Sequence, residues 1–281
     1  MLSFDQITQF NTDGFVSIPN FLDADRLNAA IARFDPLFRG EFATGIQPDE
    51  WNWHGDDNNR VLTRQICNGW KADLDIARVV LDERVGEYCA RLMGWKGTRI
   101  NQDNVLWKPP GASAVGFHQD NAYQNWIVPA EMVTCWIALD RTTINGGTIA
   151  HARGSHRWRM TQQMGQFHDP EDHLGAVKAA AAELDQPLDI VELEVSAGTA
   201  VFHHGATWHG SGPNREDRPR RALVSHCIKH NATFHPHHNS PIYSRYRQLN
   251  DLTMSESFFP ILWTECGGRT EIIPILAVFC D

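Results

Sequence analysis

The length, composition and charge of the chain exclude several classes of protein. Of its 281 residues, 42% are hydrophobic and 21% are charged, so the chain can bury a sizeable core and disorder is not indicated. The net charge of −9 argues against a nucleic-acid partner, because phosphate backbones are bound by excess Lys and Arg. The sequence contains no long apolar run, and residues 1–7 lack the features of a signal peptide. We therefore expect neither a membrane span nor export.

The cysteines indicate a reducing environment. Six are scattered along the chain without any Cys-x-x-Cys pair: Cys67, Cys89, Cys135, Cys227, Cys266 and Cys280. This spacing predicts neither a disulfide framework nor a zinc site. We expect a cytoplasmic protein.

The spacing of apolar residues predicts a helical N-terminal part over residues 1–97. A short helix capped by Ser3, a strand from Gly14 and a helix over Asp23–Phe34 open the chain. Later, Asp73–Trp95 carries an apolar face at helical spacing, which predicts one long amphipathic helix.

Residues 41–70 have weak periodicity and many turn-forming residues. We predict a long loop or lid here. Its aromatic residues, including Trp51, Trp53 and Trp70, are candidates for the wall of a pocket.

From about residue 98 the pattern changes to short strands separated by Gly and Pro turns. The predicted strands are Arg99–Trp107, Val115–His118, Met132–Asp140, Gly147–His151, Ile190–Val195, Thr199–Phe202 and Ala222–His230. They predict a mainly β protein whose core, residues 98–231, is a jelly roll. An insertion over 157–187 contains an Ala-rich helix. With a C-terminal segment of 232–281, which has no clear pattern, the chain is predicted to form one domain.

A His-x-Asp motif inside the predicted core is the first candidate for chemistry. His118 and Asp120 are two residues apart, so on an extended strand both side chains leave the same face. Together with a distant histidine, for which His209 is our candidate, they would form a 2-His-1-carboxylate triad. Such a triad holds non-haem Fe(II) and leaves coordination positions open.

Other histidines compete for the same role. His54 and Asp56 also form a His-x-Asp pair, but they lie in a polar run that predicts a loop. His203 and His204 directly follow a predicted strand, and we place them near the site without binding the metal. A further cluster, His235, His237 and His238, is predicted to lie on the surface without a role.

Polar residues on two predicted strands suggest what else the site binds. Arg220 begins the strand after His209 and is predicted to face inward, where a guanidinium can clamp a carboxylate. Arg221 would then face outward. Gln102 and Asn104 lie on the strand before the His-x-Asp motif, and polar side chains facing inward are costly unless they bind something. We predict that both line a pocket.

Several motifs in order along the chain resemble the phytanoyl-CoA dioxygenase family of Fe(II)/2-oxoglutarate oxygenases. They are Asp13-Gly-Phe-Val, Lys108-Pro-Pro-Gly, His118-Gln-Asp120, Trp136-Ile-Ala-Leu-Asp, Asn145-Gly-Gly, Gly154-Ser-His156 and His209-Gly-Ser-Gly-Pro-Asn, followed by Arg220. One departure is His151-Ala-Arg, where many members carry an apolar residue and a proline.

The resemblance implies a double-stranded β-helix with Fe(II) on His118, Asp120 and His209. It also implies 2-oxoglutarate anchored by Arg220, with O₂ as the other co-substrate. Ser211, Gln119 and Trp136 match family positions near the co-substrate or the metal.

The predicted function is hydroxylation of a C–H bond in a small molecule, with decarboxylation of 2-oxoglutarate to succinate. Desaturation, epimerisation or rearrangement on the same scaffold are alternatives. A non-catalytic, cupin-like module that binds a metal or ligand is another. The sequence does not identify the substrate.

Overall fold

The structure of the chain, a computed structural model, describes residues 1–51, 61–161 and 168–278. Within these ranges the helices are α1 Phe4–Asp13, α2 Ala24–Ala32, α3 Phe34–Phe38, α4 Leu74–Val80, α5 Glu83–Met93, α6 Gly175–Glu183 and α7 Ile273–Ala277. The strands are β1 Phe15–Ile18, β2 Glu50–Trp51, β3 Arg64–Cys67, β4 Gly97–Lys108, β5 Val115–His118, β6 Ile127–Val128, β7 Val133–Ala138, β8 Ile149–Ala152, β9 Ile190–Glu192, β10 Ala200–His204, β11 His209–Ser211, β12 Arg220–Lys229, β13 Thr233–Phe234 and β14 Ile261–Thr264.

Two antiparallel sheets form the core of the protein. The major sheet has the order β1-β10-β7-β12-β4-β3-β2, with β14 also paired to β4. The minor sheet has the order β5-β11-β8-β9, and β13 pairs with β6 separately. This arrangement confirms the predicted jelly roll. All seven predicted strands are present, Val115–His118 with the predicted bounds and the other six with shifted ends. No helix in the described ranges is long and apolar enough to cross a membrane.

The two faces of the major sheet have different partners. On one face, buried residues of the helices, such as Phe34, Ile76 and Val85, pack against Val105 and Leu223 of the strands. On the other face a smaller apolar cluster lies between the two sheets, with Trp136 from β7 packed near Ile149 from β8. The helices therefore cover the outside of the sheet and leave the space between the sheets for a site.

The prediction of one long helix over residues 73–95 is wrong. The segment forms two helices, α4 and α5, because Asp82 interrupts it. The Asp82 carboxylate caps α5 by accepting a hydrogen bond from the backbone N–H of Arg84 at 2.7 Å, and it pairs with Arg26 at 2.6 Å. The apolar pattern continues across the break since both helices bury a face against the same sheet.

The segment 41–70 is less irregular than predicted. It contributes β2 and β3 to the edge of the major sheet, where β3 pairs with β4. Trp51 packs edge-on against Phe42 and Trp70 is buried in the core, and neither lines the cavity between the two sheets. Trp53 and the pair His54–Asp56 lie outside the described residues.

Candidate active site

The three residues of the predicted triad come together at one end of the minor sheet. His118 ends β5 and His209 begins β11, and the two are direct partners in the antiparallel register. Asp120 follows in a short 3-10 turn. One ligand atom from each residue lies within 4.8 Å of the other two, and all three residues are buried. Strand pairing thus joins parts of the chain that are far apart in sequence.

The backbone fixes how both imidazoles face the centre of the triad. The Nδ1 atom of His118 donates to the carbonyl oxygen of Gly116 at 2.9 Å, and Nδ1 of His209 donates to that of Thr207 at 3.0 Å. Each Nε2 atom then carries a lone pair and lies 3.5 Å from Oδ1 of Asp120. This tautomer is the one that binds a metal through Nε2.

A close approach between strands explains the glycine beside His209. A Cβ atom at Gly210 would lie 2.6 Å from the ring of Phe117 on β5. A side chain at this position would push β11 away from β5, and with it His209 away from His118.

The second oxygen of Asp120 is held by two further donors. Oδ2 accepts a hydrogen bond from Oγ1 of Thr134 at 2.6 Å and one from Nε2 of His203 at 3.2 Å. His203 in turn accepts, at Nδ1, a hydrogen bond from Nε2 of His151 at 3.3 Å. The carboxylate is therefore oriented with Oδ1 toward the two imidazoles and Oδ2 toward the surrounding protein.

Charge states in the triad suit a cation. Burial opposes the charged form of Asp120, but the imidazoles of His209, His118 and His203 outweigh it and hold the pKa of Asp120 well below its usual range. Burial lowers the pKa of His209 well below 6.5. An ionised carboxylate and two imidazoles that present their Nε2 atoms, all buried, are the donor set that fits a divalent iron ion.

The structure also locates the competing histidines. His203 lies beside Asp120 but not in the triad, as predicted. His204 points to the other face of β10, where its ring lies 6.4 Å from that of Phe10, so the expectation that it lies near the site is wrong. His151, the departure from the family pattern, is fully buried and stacks on Phe15 at 4.6 Å.

A cavity of about 630 Å³ opens from the triad between the two sheets. The predicted pocket residues Gln102 and Asn104 line it, as do Trp136 and Ser211. His168 of the insertion and Thr63 from the segment 41–70 also contribute. One wall was not foreseen, because it comes from residues 239–243 of the C-terminal segment.

Arg220 is a buried cation in this cavity. Its side chain is 5% exposed, and Nη2 donates to the carbonyl oxygen of Gly147 at 3.1 Å. The Nε atom has no hydrogen-bond partner, and the guanidinium lies 5.7 Å from the ring centre of Trp136. Burial lowers the pKa of Arg220 to about 10, against the attraction of Asp140. Such a group needs an anion to offset its desolvation.

Lys108 is a functional candidate that the sequence analysis did not single out. Its side chain is fully buried, and its Nζ donates to Oγ of Ser211 at 2.8 Å and to the carbonyl oxygen of Gly212. Burial, together with repulsion from Arg220, lowers the pKa of Lys108 well below its usual range. The signal was present in Lys108-Pro-Pro-Gly, one of the motifs that resemble the family, to which no role was assigned.

Gln119 does not line the cavity. Its Nε2 donates to the carbonyl oxygen of Ala206 at 2.8 Å, and its Oε1 accepts from the backbone N–H of Thr161 at 3.0 Å. Since Gln119 lies between His118 and Asp120 on extended backbone, its side chain leaves the opposite face. It links the metal-binding turn to the start of the insertion.

The sequence matches the family model described as phytanoyl-CoA dioxygenase (PhyH) over residues 10–222. The chain belongs to this family. The matched range contains every member of the triad and Arg220, and the resemblance inferred from the motifs is confirmed.

Individual relatives are more distant. A probable alpha-ketoglutarate-dependent hypophosphite dioxygenase of Stutzerimonas stutzeri is 25% identical over 226 residues, which cover 78% of this chain and 76% of that protein. Among solved structures, the non-heme alpha ketoglutarate dependent carbocyclase SnoK from nogalamycin biosynthesis has a TM-score of 0.72 and 23% identity, covering 92% of this chain and 96% of that one. The epimerase SnoN, in complex with Fe3+, alpha ketoglutarate and nogalamycin RO, has a TM-score of 0.69 and 18% identity, covering 92% of this chain and 98% of that one. These structures share the fold of this chain.

Proposed function

We propose that this protein is an Fe(II)- and 2-oxoglutarate-dependent dioxygenase that hydroxylates a C–H bond of a small molecule. The observation that carries the proposal is Arg220. This buried guanidinium has an unpaired Nε and lies in the same cavity as a buried His-Asp-His triad. A dicarboxylate that chelates a metal at one end and needs a cation at the other satisfies both features.

Each part of the site has a role in this proposal. His118, Asp120 and His209 would hold the iron, and Arg220 would bind the far carboxylate of 2-oxoglutarate. When bound, the iron with 2-oxoglutarate and O₂ supplies the oxidising chemistry, in which the 2-oxo acid becomes succinate and CO₂ and one oxygen atom goes to the substrate. Ser211 lines the same cavity as Arg220, and Lys108, bonded to Ser211, is close enough to Arg220 to be repelled by it. Trp136 lies 5.7 Å from the guanidinium.

The surrounding residues orient these groups and keep water away. Thr134 and His203 hold Asp120 in one orientation, which presents a single oxygen to the metal. Apolar side chains, such as Ile149, Val224 and Leu106, line the cavity near Arg220. A dry wall strengthens the attraction between the guanidinium and a carboxylate.

The proposed substrate is a small organic molecule. The cavity has a volume in the range of small-molecule sites, and its lining combines apolar residues such as Met132 and Trp126 with amide side chains such as Gln65. Among the described lining residues, Arg220 is the only Lys or Arg, and the proposal assigns it to 2-oxoglutarate. This does not favour a fatty acyl-CoA, whose nucleotide would need further cations.

We also place the protein in the cytoplasm. The five cysteines in the described ranges are all unpaired, which supports a reducing compartment.

The proposal is tested in two steps, of which the first needs no substrate. Fe(II) and then 2-oxoglutarate are titrated anaerobically into the protein, and the metal-to-ligand charge-transfer absorption is recorded. A saturable band is expected, whereas bound iron without a band would favour the non-catalytic module.

In the second step, candidate compounds are screened for stimulated succinate formation, and the product mass is measured. A gain of one oxygen atom indicates hydroxylation, a loss of two hydrogens indicates desaturation, and an unchanged mass indicates epimerisation.

A further inference from the structure

A continuous line of hydrogen bonds runs along the cavity wall from the C-terminal segment to Asp120. Tyr243 Oη lies 2.6 Å from Gln102 Oε1, and Gln102 Nε2 lies 2.7 Å from Asn104 Oδ1. Asn104 Nδ2 lies 3.0 Å from Nε2 of His226. His226 Nδ1 lies 2.9 Å from Thr134 Oγ1, which lies 2.6 Å from Asp120 Oδ2. We call this line the relay; its members are Tyr243, Gln102, Asn104, His226, Thr134 and Asp120.

The chemistry of the groups fixes the direction of every bond in the relay. An ionised carboxylate only accepts, so the Thr134 hydroxyl must donate to Asp120. Thr134 has one hydrogen, and its oxygen must therefore accept from Nδ1–H of His226. The other nitrogen of a neutral His226 is then an acceptor, which matches the amide nitrogen of Asn104 facing it.

The remaining bonds follow the same direction. Since the Asn104 nitrogen faces His226, its oxygen faces the other way and accepts from the amide nitrogens of Gln102 and Gln65, the latter at 3.1 Å. The oxygen of Gln102 accepts in turn from the Tyr243 hydroxyl. No group in the relay donates against this direction, so all five bonds can form together and polarise one another.

The far end of the relay is anchored independently. Tyr246, three residues after Tyr243, contacts Asp49 and accepts from Nζ of Lys71 at 3.0 Å. Lys71 also pairs with Asp49 at 2.7 Å, and both side chains are largely buried. The segment carrying Tyr243 is thereby fixed to the N-terminal part of the chain by contacts outside the relay.

We propose that Tyr243 is a positioning residue that sets the orientation of Asp120 through the relay. The inference rests on the proposed function, because it takes Asp120 as a metal ligand. The relay supplies one of the two donors to Oδ2 and thereby directs Oδ1 toward the metal. The C-terminal segment then contributes to the metal site, although five hydrogen bonds separate Tyr243 from Asp120.

The test measures anaerobic Fe(II) affinity and the energy of the Fe(II)/2-oxoglutarate charge-transfer band in four variants. Thr134→Val and Tyr243→Phe each remove one hydroxyl from the relay, and a double variant combines them. Tyr246→Phe is the matched control, since it removes a hydroxyl from the same segment but outside the relay. Melting temperatures are recorded for all of them.

We expect about 10-fold weaker Fe(II) binding for Thr134→Val and about 3-fold for Tyr243→Phe, with the band shifted in the same direction in both. The double variant should have the Fe(II) affinity and band energy of Thr134→Val, because both substitutions interrupt the same chain of hydrogen bonds. Tyr246→Phe should lower the melting temperature alone, because the ion pair of Arg245 with Asp49 at 3.0 Å still holds the segment in place.

Three results would overturn the inference. They are a Tyr243→Phe protein with wild-type Fe(II) affinity and band, effects that add fully in the double variant, and a Tyr246→Phe protein with the same spectral shift as Tyr243→Phe. Should Tyr243→Phe fail to fold, Gln102→Leu breaks the next bond and is judged by the same measurements. A wild-type protein that binds no Fe(II), or shows no band, refutes the proposed function itself. A wild-type band that Tyr243→Phe leaves unmoved refutes only the relay.

Discussion

Arg220 and Arg221 are adjacent in the chain, yet their guanidinium groups lie on opposite faces of β12. Arg220 lies in the cavity near Trp136, whereas Arg221 forms a two-bond ion pair with Asp140 at 2.8 and 3.0 Å. Arg221 also lies 5.9 Å from the ring centre of Phe34, on the side covered by helices. Neighbouring substitutions on this strand should therefore separate ligand binding from stability.

Arg220→Ala should weaken 2-oxoglutarate binding far more than Fe(II) binding. Loss of a buried, charge-assisted contact costs about 2–5 kcal/mol, or roughly 30-fold or more in affinity. Arg221→Ala should keep the affinity for 2-oxoglutarate and lower the melting temperature, since it breaks the ion pair with Asp140. Anaerobic titration of the charge-transfer band checks both, and equal losses of affinity would contradict the assignment of Arg220.

Asp120→Ala and His118→Ala should each abolish stoichiometric Fe(II) binding and leave the fold largely intact. His118 ends β5 and Asp120 lies in the 3-10 turn that follows, and neither side chain belongs to an apolar cluster of the core. Metal content after reconstitution and a circular dichroism spectrum measure the two effects. His54→Ala serves as the control, because it disrupts the competing His-x-Asp pair and should keep a full iron content. An iron-free but folded His54→Ala protein would indicate that the metal site lies in the segment 41–70 instead.

Lys108→Met should weaken 2-oxoglutarate binding about 10-fold or more, because hydrogen bonds involving a charged group contribute about 1.5–3 kcal/mol. The variant should remain folded, since Met fills a similar volume without placing an ammonium group among buried atoms. Isothermal titration of the Fe(II) protein with 2-oxoglutarate gives the affinity. An unchanged affinity with a lower melting temperature would limit Lys108 to holding Ser211 and Gly212.

Asp103→Asn should change how stability depends on pH. Asp103 is fully buried on β4, its Oδ2 has no hydrogen-bond partner, and burial raises its pKa to about 7. Because the folded state holds this proton more tightly than the unfolded chain does, the free energy of unfolding falls as the pH rises from about 4 to about 7. A shift of this size corresponds to at most about 4 kcal/mol. In thermal melts from pH 4 to 8, the melting temperature of the variant should rise relative to that of the wild type. A difference in melting temperature that stays constant with pH would contradict the shifted pKa of Asp103.

Local periodicity was enough to predict the parts of the site that lie within one strand. The i, i+2 spacing placed His118 and Asp120 together, because the backbone stays extended through Gln119 although β5 ends at His118. The alternation on β12 separated Arg220 from Arg221. Gln102 and Asn104 were predicted as pocket residues for the same reason. In each case the prediction concerns only the side of an extended segment on which a side chain lies. That side follows from the alternation of residues in a short stretch of sequence.

Contacts that depend on strand register could not be predicted in this way. Thr134 and His226 meet because β7 and β12 pair with these residues opposite each other, and Lys108 reaches Ser211 across the two sheets. The contribution of Tyr243 depends on how the C-terminal segment folds back over the cavity. The break at Asp82 was missed for a different reason, since one capping bond outweighs an apolar pattern that continues on both sides.

Two very short strands, β5 and β11, form the edge of the minor sheet that carries the triad. β5 has four residues and β11 has three, and their register shifts between His209 and Ser211. Few backbone hydrogen bonds therefore oppose local opening between them. Under the proposed ligation, an iron ion would link His118 on β5 to His209 on β11. The free energy of metal binding would then stabilise the folded state of these two strands. Cellular iron supply would then govern the lifetime of the protein as well as its activity. The iron-free chain would open more often at this edge of the sheet and would be cleaved by proteases more readily.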